Sequence, residues 1–138
     1  MRVVLDANVL VSAMVTGGGA PDEVVQSILR GDLHLLIDSR IMAEYDEVTS
    51  RPSFGFDAKE RRMLLDVLDT IAEPVIARPH HVALPDPDDL PFVEVAISGR
   101  ADVLITGNIR HFIDARPYGV VARTPRQIMD RLRRPKYP

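Results

Sequence analysis

Cysteine is absent from this sequence, as is tryptophan, and there are only three Tyr and four Phe. Without a thiol, disulfides, thiolate metal sites and cysteine nucleophiles are all excluded. With so few rings, the core has to be assembled mainly from Val, Leu, Ile, Ala and Met within the 46% apolar content. Long apolar runs are missing too. No window approaches the roughly 18 residues of a membrane span, and Asp6 interrupts the first apolar run before it can act as a secretion signal. The expectation is a soluble, cytoplasmic protein with no membrane partner.

Positive charge is also in short supply. Lys plus Arg number 17 against 20 Asp plus Glu, a formal charge of −3, which weighs against a surface that attracts nucleic acid everywhere. The average hides a gradient. From Arg123 onward there are six basic residues and one acid, Asp130, whereas the centre gathers Asp86, Asp88, Asp89 and Glu94. At 138 residues the chain is expected to form one domain over residues 1–134, followed by a short tail, 135–138. A chain of this length buries roughly two-thirds of its unfolded surface.

What is present alternates between two periods. Val3 to Leu5 is a continuous apolar run, the mark of a strand covered on both faces, and it ends at Asp6. Three glycines, Gly17 to Gly19, turn the chain, and Pro21 sits early in a helix that stops near Gly31. LHLLID is a second strand. Ser39 is placed to cap a helix carrying Ile41, Met42, Tyr45 and Val48, and Asp57 to cap another with an apolar stripe of Leu64, Val67, Leu68 and Ile71. PVIA, ADVLITG and YGVVA supply three more strands. LPFVEVAISG is a helix closed by Gly99, and Thr124–Pro125 starts the last one. This order predicts a three-layer α/β/α domain with a mostly parallel central sheet.

In such a sheet, ligands gather beyond the carboxyl ends of the strands. Asp6 and Asn108 stand at two of those ends, Glu44 lies early in a helix that follows a strand, and Asp89 opens the helix before the fourth strand. Carboxylates brought together there repel and raise one another's pKa unless a cation joins them; oxygen ligands without thiols favour Mg²⁺ or Mn²⁺. Each residue also has a plainer use. Asp6 serves as a turn former or cap, Glu44 as a solvated helix residue, Asp88 or Asp89 as an N-cap, Asn108 as a turn terminator.

The ordered set DANVLVSA, the Glu of SRIMAEYDEV, DPDDLPFVEVAISGRADVLITGNIRHF and TPRQIMDRL resembles the PIN-domain family, and within it the toxin components of bacterial toxin–antitoxin pairs, the VapC-like ribonucleases. The resemblance runs from Met1 to about Leu132. It implies a metal-dependent endoribonuclease whose acidic positions match Asp6, Glu44 and Asp89, with Asn8 and Thr106 as supporting residues. The fourth acidic position matches Asn108, where the family usually has Asp. A neutral amide keeps a carbonyl ligand but takes a charge from any second metal site. Asp88 and Glu94 are candidate supporting or substitute ligands, although Glu94 lies one residue, about 100° of helix turn, past the i,i+4 position from Asp89.

The resemblance further implies an RNA substrate, a cognate antitoxin and a homodimer. Arg110, His111 and Arg126 are candidate RNA contacts, as are Arg116 and the basic last helix. A surface or capping role is the plainer one for His111, and a solvated face the plainer one for the Arg-rich helix. Met42, Tyr45 and Met63 are candidate partner contacts, with core packing as the default. Two competing readings stand beside the nuclease. An aspartyl-phosphate enzyme using Asp6 is disfavoured by Asn8, which occupies the place of its second Asp. A catalytically weak or inactive PIN fold that binds RNA or protein is favoured by Asn108 and opposed by the three acids.

Overall fold

The computed structural model describes residues 1–134; the expected tail, 135–138, lies outside them. In chain order it contains β1 (Arg2–Leu5), α1 (Ala7–Thr16), α2 (Ala20–Leu29), β2 (His34–Ile37), α3 (Ser39–Thr49), α4 (Ala58–Ile71), β3 (Glu73–Pro74), α5 (Leu90–Ser98), β4 (Val103–Ile105), β5 (Ala122–Arg123) and α6 (Pro125–Arg133). The strands form one five-stranded sheet in the order β3-β2-β1-β4-β5, and every pairing is parallel. Helices cover both faces, giving the expected α/β/α layering. Val3, Val4 and Leu5 of the central strand are wholly buried, which explains their unbroken apolar run.

Several elements differ from the sequence expectation. Residues 7–16, left without an element by their pattern, form α1, whose buried Val9, Leu10, Val11 and Ala13 are apolar on several sides and so show little helical period. The cap of α3 is Asp38, whose Oδ1 accepts the Ile41 N–H at 3.0 Å, and Ser39 is already helical. On α4, Leu65 and Leu68 are buried but Val67 and Ile71 remain 46% and 42% exposed, so the apolar stripe is wider than the face that packs. The third and fifth strands shrink to two residues each. Ile109–Tyr118, between β4 and β5, winds as a 3-10 segment anchored by buried Phe112 and Ala115. Gly99 does end α5, but with a right-handed backbone; a Cβ there would meet Leu36 Cδ1 at 2.9 Å, so close packing is what requires glycine.

Two expected caps do form. Asp57 Oδ2 accepts the Glu60 N–H at 2.9 Å, and Thr124 with Gln127 makes a reciprocal capping box. Tyr45 is fully buried, which excludes it as a partner contact, whereas Met63 is exposed. The Tyr45 hydroxyl donates to the Leu5 carbonyl at 2.6 Å, tying α3 to the end of β1, and the Tyr45 ring centroid lies 6.5 Å from that of Phe92. Tyr45→Phe keeps the ring and removes one buried donor, so it is expected to cost about 1–2 kcal/mol in a urea unfolding experiment. A loss too small to measure would show that this bond does not hold α3.

Candidate active site at the carboxyl edge of the sheet

Asp6 follows β1 directly and stands at the N-cap position of α1, yet its side chain makes no cap hydrogen bond. It is 5% exposed and accepts instead from Thr106 Oγ1 at 2.8 Å, across from the end of β4. Thr106 Oγ1 in turn accepts the Asn108 N–H at 3.0 Å. Asp89 ends a 3-10 turn, Pro87–Asp89, that runs straight into α5, and its Oδ2 lies 3.2 Å from His111 Nδ1. The neighbouring Asp86 performs the ordinary turn duty, accepting the Asp88 N–H at 2.9 Å. Asp6 and Asp89, held by Thr106 and His111, are set apart from Asp38, Asp57 and Asp86, whose side chains cap helical segments.

The electrostatics link these groups. Burial raises the Asp6 carboxyl, while Thr106, the amides of Asn8 and Ala7, and the His111 ring pull it back down. Asp89 is pushed up to about 6, first by burial, then by the charges of Asp6 and Asp86. Glu44, half-buried on α3, is raised by burial and by Glu47, with further contributions from Asp88 and Asp6 and a lowering one from Arg51. Asp6 is therefore felt by both Glu44 and Asp89. Among the described residues, however, no three His, Asp or Glu side chains gather tightly enough to form a ready-made metal cage.

The raised Asp89 carboxyl has a consequence for stability. Its ionised form is disfavoured in the folded chain relative to the unfolded one. It therefore subtracts from stability above about pH 6, and the penalty fades as the pH falls through 6 toward 3.8. Asp89→Asn, which retains an oxygen for His111, is expected to stabilise the protein by about 1–3 kcal/mol near neutral pH and by almost nothing near pH 4. Urea titrations of both proteins across this range provide the check, and a difference independent of pH would remove Asp89 as its source.

Other expected site residues lie elsewhere or stay open to solvent. Glu94 is turned from the edge: Oε1 accepts from Arg40 Nη1 at 2.6 Å and Oε2 from the His80 N–H at 2.8 Å. Those partners hold its carboxyl below the usual range against the effect of burial, and they occupy the oxygens a substitute ligand would need. Asp88, Asn108 and Arg110 are exposed, as is Asn8, whose backbone amide rather than its side chain acts on Asp6. Arg126 lines a shallow groove of about 280 Å³ with Asn8, Ser12, Gly107 and Thr124, beside the Asp6–Thr106 pair. Arg133 of the basic last helix pairs with Glu23. A larger cavity of about 670 Å³ lies by Met1, Asp102, Arg123 and Arg131, toward the amino ends of β1 and β4, away from all three acids. Sequence reading missed the Arg40–Glu94–His80 link and the pairing of His111 with Asp89, whose partners lie too far apart in the chain for any local signal.

Residues 2–110 match the model of the PIN domain, and the chain belongs to that family. No curated protein matches it in sequence. Among solved structures it is similar to a chain of VapBC2 from Rickettsia felis bound to a DNA fragment from the promoter, with 18% identity, a TM-score of 0.62, and 90% of this chain and 98% of that chain covered. It is also similar to a chain of FitAB bound to the IR36 DNA fragment, with 15% identity, a TM-score of 0.56, and 89% and 94% covered. At these identities the likeness concerns the fold.

Proposed function

We propose that this chain is a divalent-metal-dependent endoribonuclease acting in the cytoplasm as the toxin of a toxin–antitoxin pair. The observation that carries the reading is the pair of aspartates, Asp6 and Asp89, buried and half-buried, each with one oxygen held by a side chain of the run that follows β4, Thr106 and His111. Membership of the PIN-domain family supports it, as do the acidic motifs and the fold shared with VapBC2 and FitAB chains.

The donor set suits a hard cation: carboxylates and an amide, with no thiol in the chain. Mg²⁺ commonly takes one or two carboxylates and keeps several waters, so two aspartates suffice for it. Asp6 and Asp89 would hold it, with Glu44 alongside. When bound, Mg²⁺ or Mn²⁺ supplies an acidified water and offsets charge on the phosphate oxygens. Thr106 keeps Asp6 in one rotamer, Glu44 would help orient the attacking water, and Asn108 would offer its amide to the same edge. Arg110 and Arg126 contact backbone phosphates of the RNA. An antitoxin protein would cover the acidic edge, and the exposed Met63, Val67 and Ile71 of α4 offer apolar surface to it or to a second copy of the chain.

A second reading, an RNA- or protein-binding PIN fold with little or no cleavage, draws on the neutral, exposed Asn108 and the lack of a closed cage among the described residues. Mapping breaks across a whole transcript pool separates the two. The nuclease reading expects discrete cuts with Mg²⁺ or Mn²⁺ that vanish with EDTA; bound but intact RNA would favour the second.

A further inference from the structure

Thr106 and His111 belong to one short run, TGNIRH, and their side chains grip different carboxylates. Thr106 Oγ1 donates to Oδ2 of Asp6 at 2.8 Å, and His111 Nδ1 lies 3.2 Å from Oδ2 of Asp89. In each aspartate the other oxygen, Oδ1, has no side-chain donor among the described residues. The gripped acids come from separate elements, one at the end of β1 and one at the start of α5. The gripping residues come from one segment, and that segment is tied to itself. The Asn108 N–H donates to Thr106 Oγ1 at 3.0 Å, and the His111 N–H donates to the Asn108 carbonyl at 3.2 Å. Buried Phe112, next in the chain, anchors the run in the core, so the half-exposed imidazole is not needed for packing.

We propose that His111 is a positioning residue for Asp89, the counterpart of Thr106 at Asp6, so that the Thr106–His111 run sets both carboxylates in the register that holds a divalent cation. The inference rests on the metal-dependent reading above. A carboxylate with one oxygen held keeps its rotamer and presents the other, and partners of this kind change metal affinity by about 10- to 100-fold. The role needs a proton on Nδ1 facing Oδ2. It does not need an imidazolium.

Asn at this position carries an amide N–H close to where Nδ1–H stands, whereas Gln reaches toward the Nε2 position and Leu has no donor. The experiment is a calorimetric titration of the full chain with Mn²⁺ alone, for wild type, His111→Asn, His111→Gln and His111→Leu, with thermal melts to confirm folding. His111→Leu and His111→Gln are expected to bind Mn²⁺ at least about 10-fold more weakly, and His111→Asn within about 3-fold of wild type. Should the Leu variant not fold, the Asn–Gln contrast carries the comparison. Leu or Gln variants that bind as tightly as wild type, or an Asn variant as weak as they are, would overturn the positioning role and leave the metal reading standing. A wild type that takes up no Mn²⁺ would overturn both.

Discussion

Asp6→Asn is expected to lower RNA cleavage at least about a hundredfold, the smaller end of what losing one preorganised electrostatic group costs, while the protein stays folded. The loss follows from charge. An Asn oxygen is a weak ligand and offers a divalent cation no Coulombic attraction, and the Asp6 charge that Glu44 and Asp89 feel from other elements is lost with it. The retained fold follows from geometry. Thr106 Oγ1 donates to Asp6 at 2.8 Å, and an amide carbonyl accepts that bond as well as a carboxylate does. The buried carboxyl is also raised by desolvation, so removing its charge relieves the fold. Cleavage gels and thermal melts run on the same preparations provide the check. Equal cleavage by wild type and variant would mean a contaminating nuclease and would end the enzymatic reading; a collapsed melt would mean that the substitution tested folding alone.

The second large effect concerns stability. Glu94 is 5% exposed and pairs with the Arg40 guanidinium at 2.6 Å, with the His80 N–H on the other oxygen. Arg40 also bonds Asp38, the cap of α3, so the chain Asp38–Arg40–Glu94–His80 joins the helix of Glu44 to the helix that follows Asp89. Arg40→Ala strands a buried carboxylate with a single amide. A fully buried orphan of this kind costs about 3–5 kcal/mol; because Arg40 itself is nearly half exposed and water can enter its place, we expect about 2–3 kcal/mol. That corresponds to a fall in Tm of roughly 8 °C. Adding Glu94→Gln to Arg40→Ala removes the stranded charge and should return much of the loss. A double variant no more stable than Arg40→Ala would show that lost packing of the Arg stem, rather than the orphaned charge, is responsible.

The sheet was readable because parallel strands covered on both faces advertise themselves. Val3–Leu5 and Val103–Ile105 are unbroken apolar runs. α1 is hard to read because the polar face of ANVLVSAMVT is a single narrow line, Asn8, Ser12 and Thr16, and on α4 Val67 and Ile71 continue an apolar pattern that the core does not use. Ser39 and Asp38 are both good caps one residue apart, and the shift between them is within what local chemistry decides. Asp6, Glu44, Asp89 and Thr106 were legible as candidates through their positions after strands and their order in the family motifs. What no local pattern could convey was how side chains 22 and 54 residues apart would pair: His111 with Asp89, and Arg40 with Glu94. Glu94 consequently looked like a spare ligand and proved to be a strut.

The two buried carboxyls have a practical consequence. Burial raises both Asp6 and Asp89, so each sits uneasily as an anion in the folded chain. Neutral replacements at these two positions are therefore among the simplest routes to a hardier protein. Any laboratory selection of this domain for heat resistance alone would drift toward sequences that keep the fold and discard the acids, and should be run with an activity screen beside it.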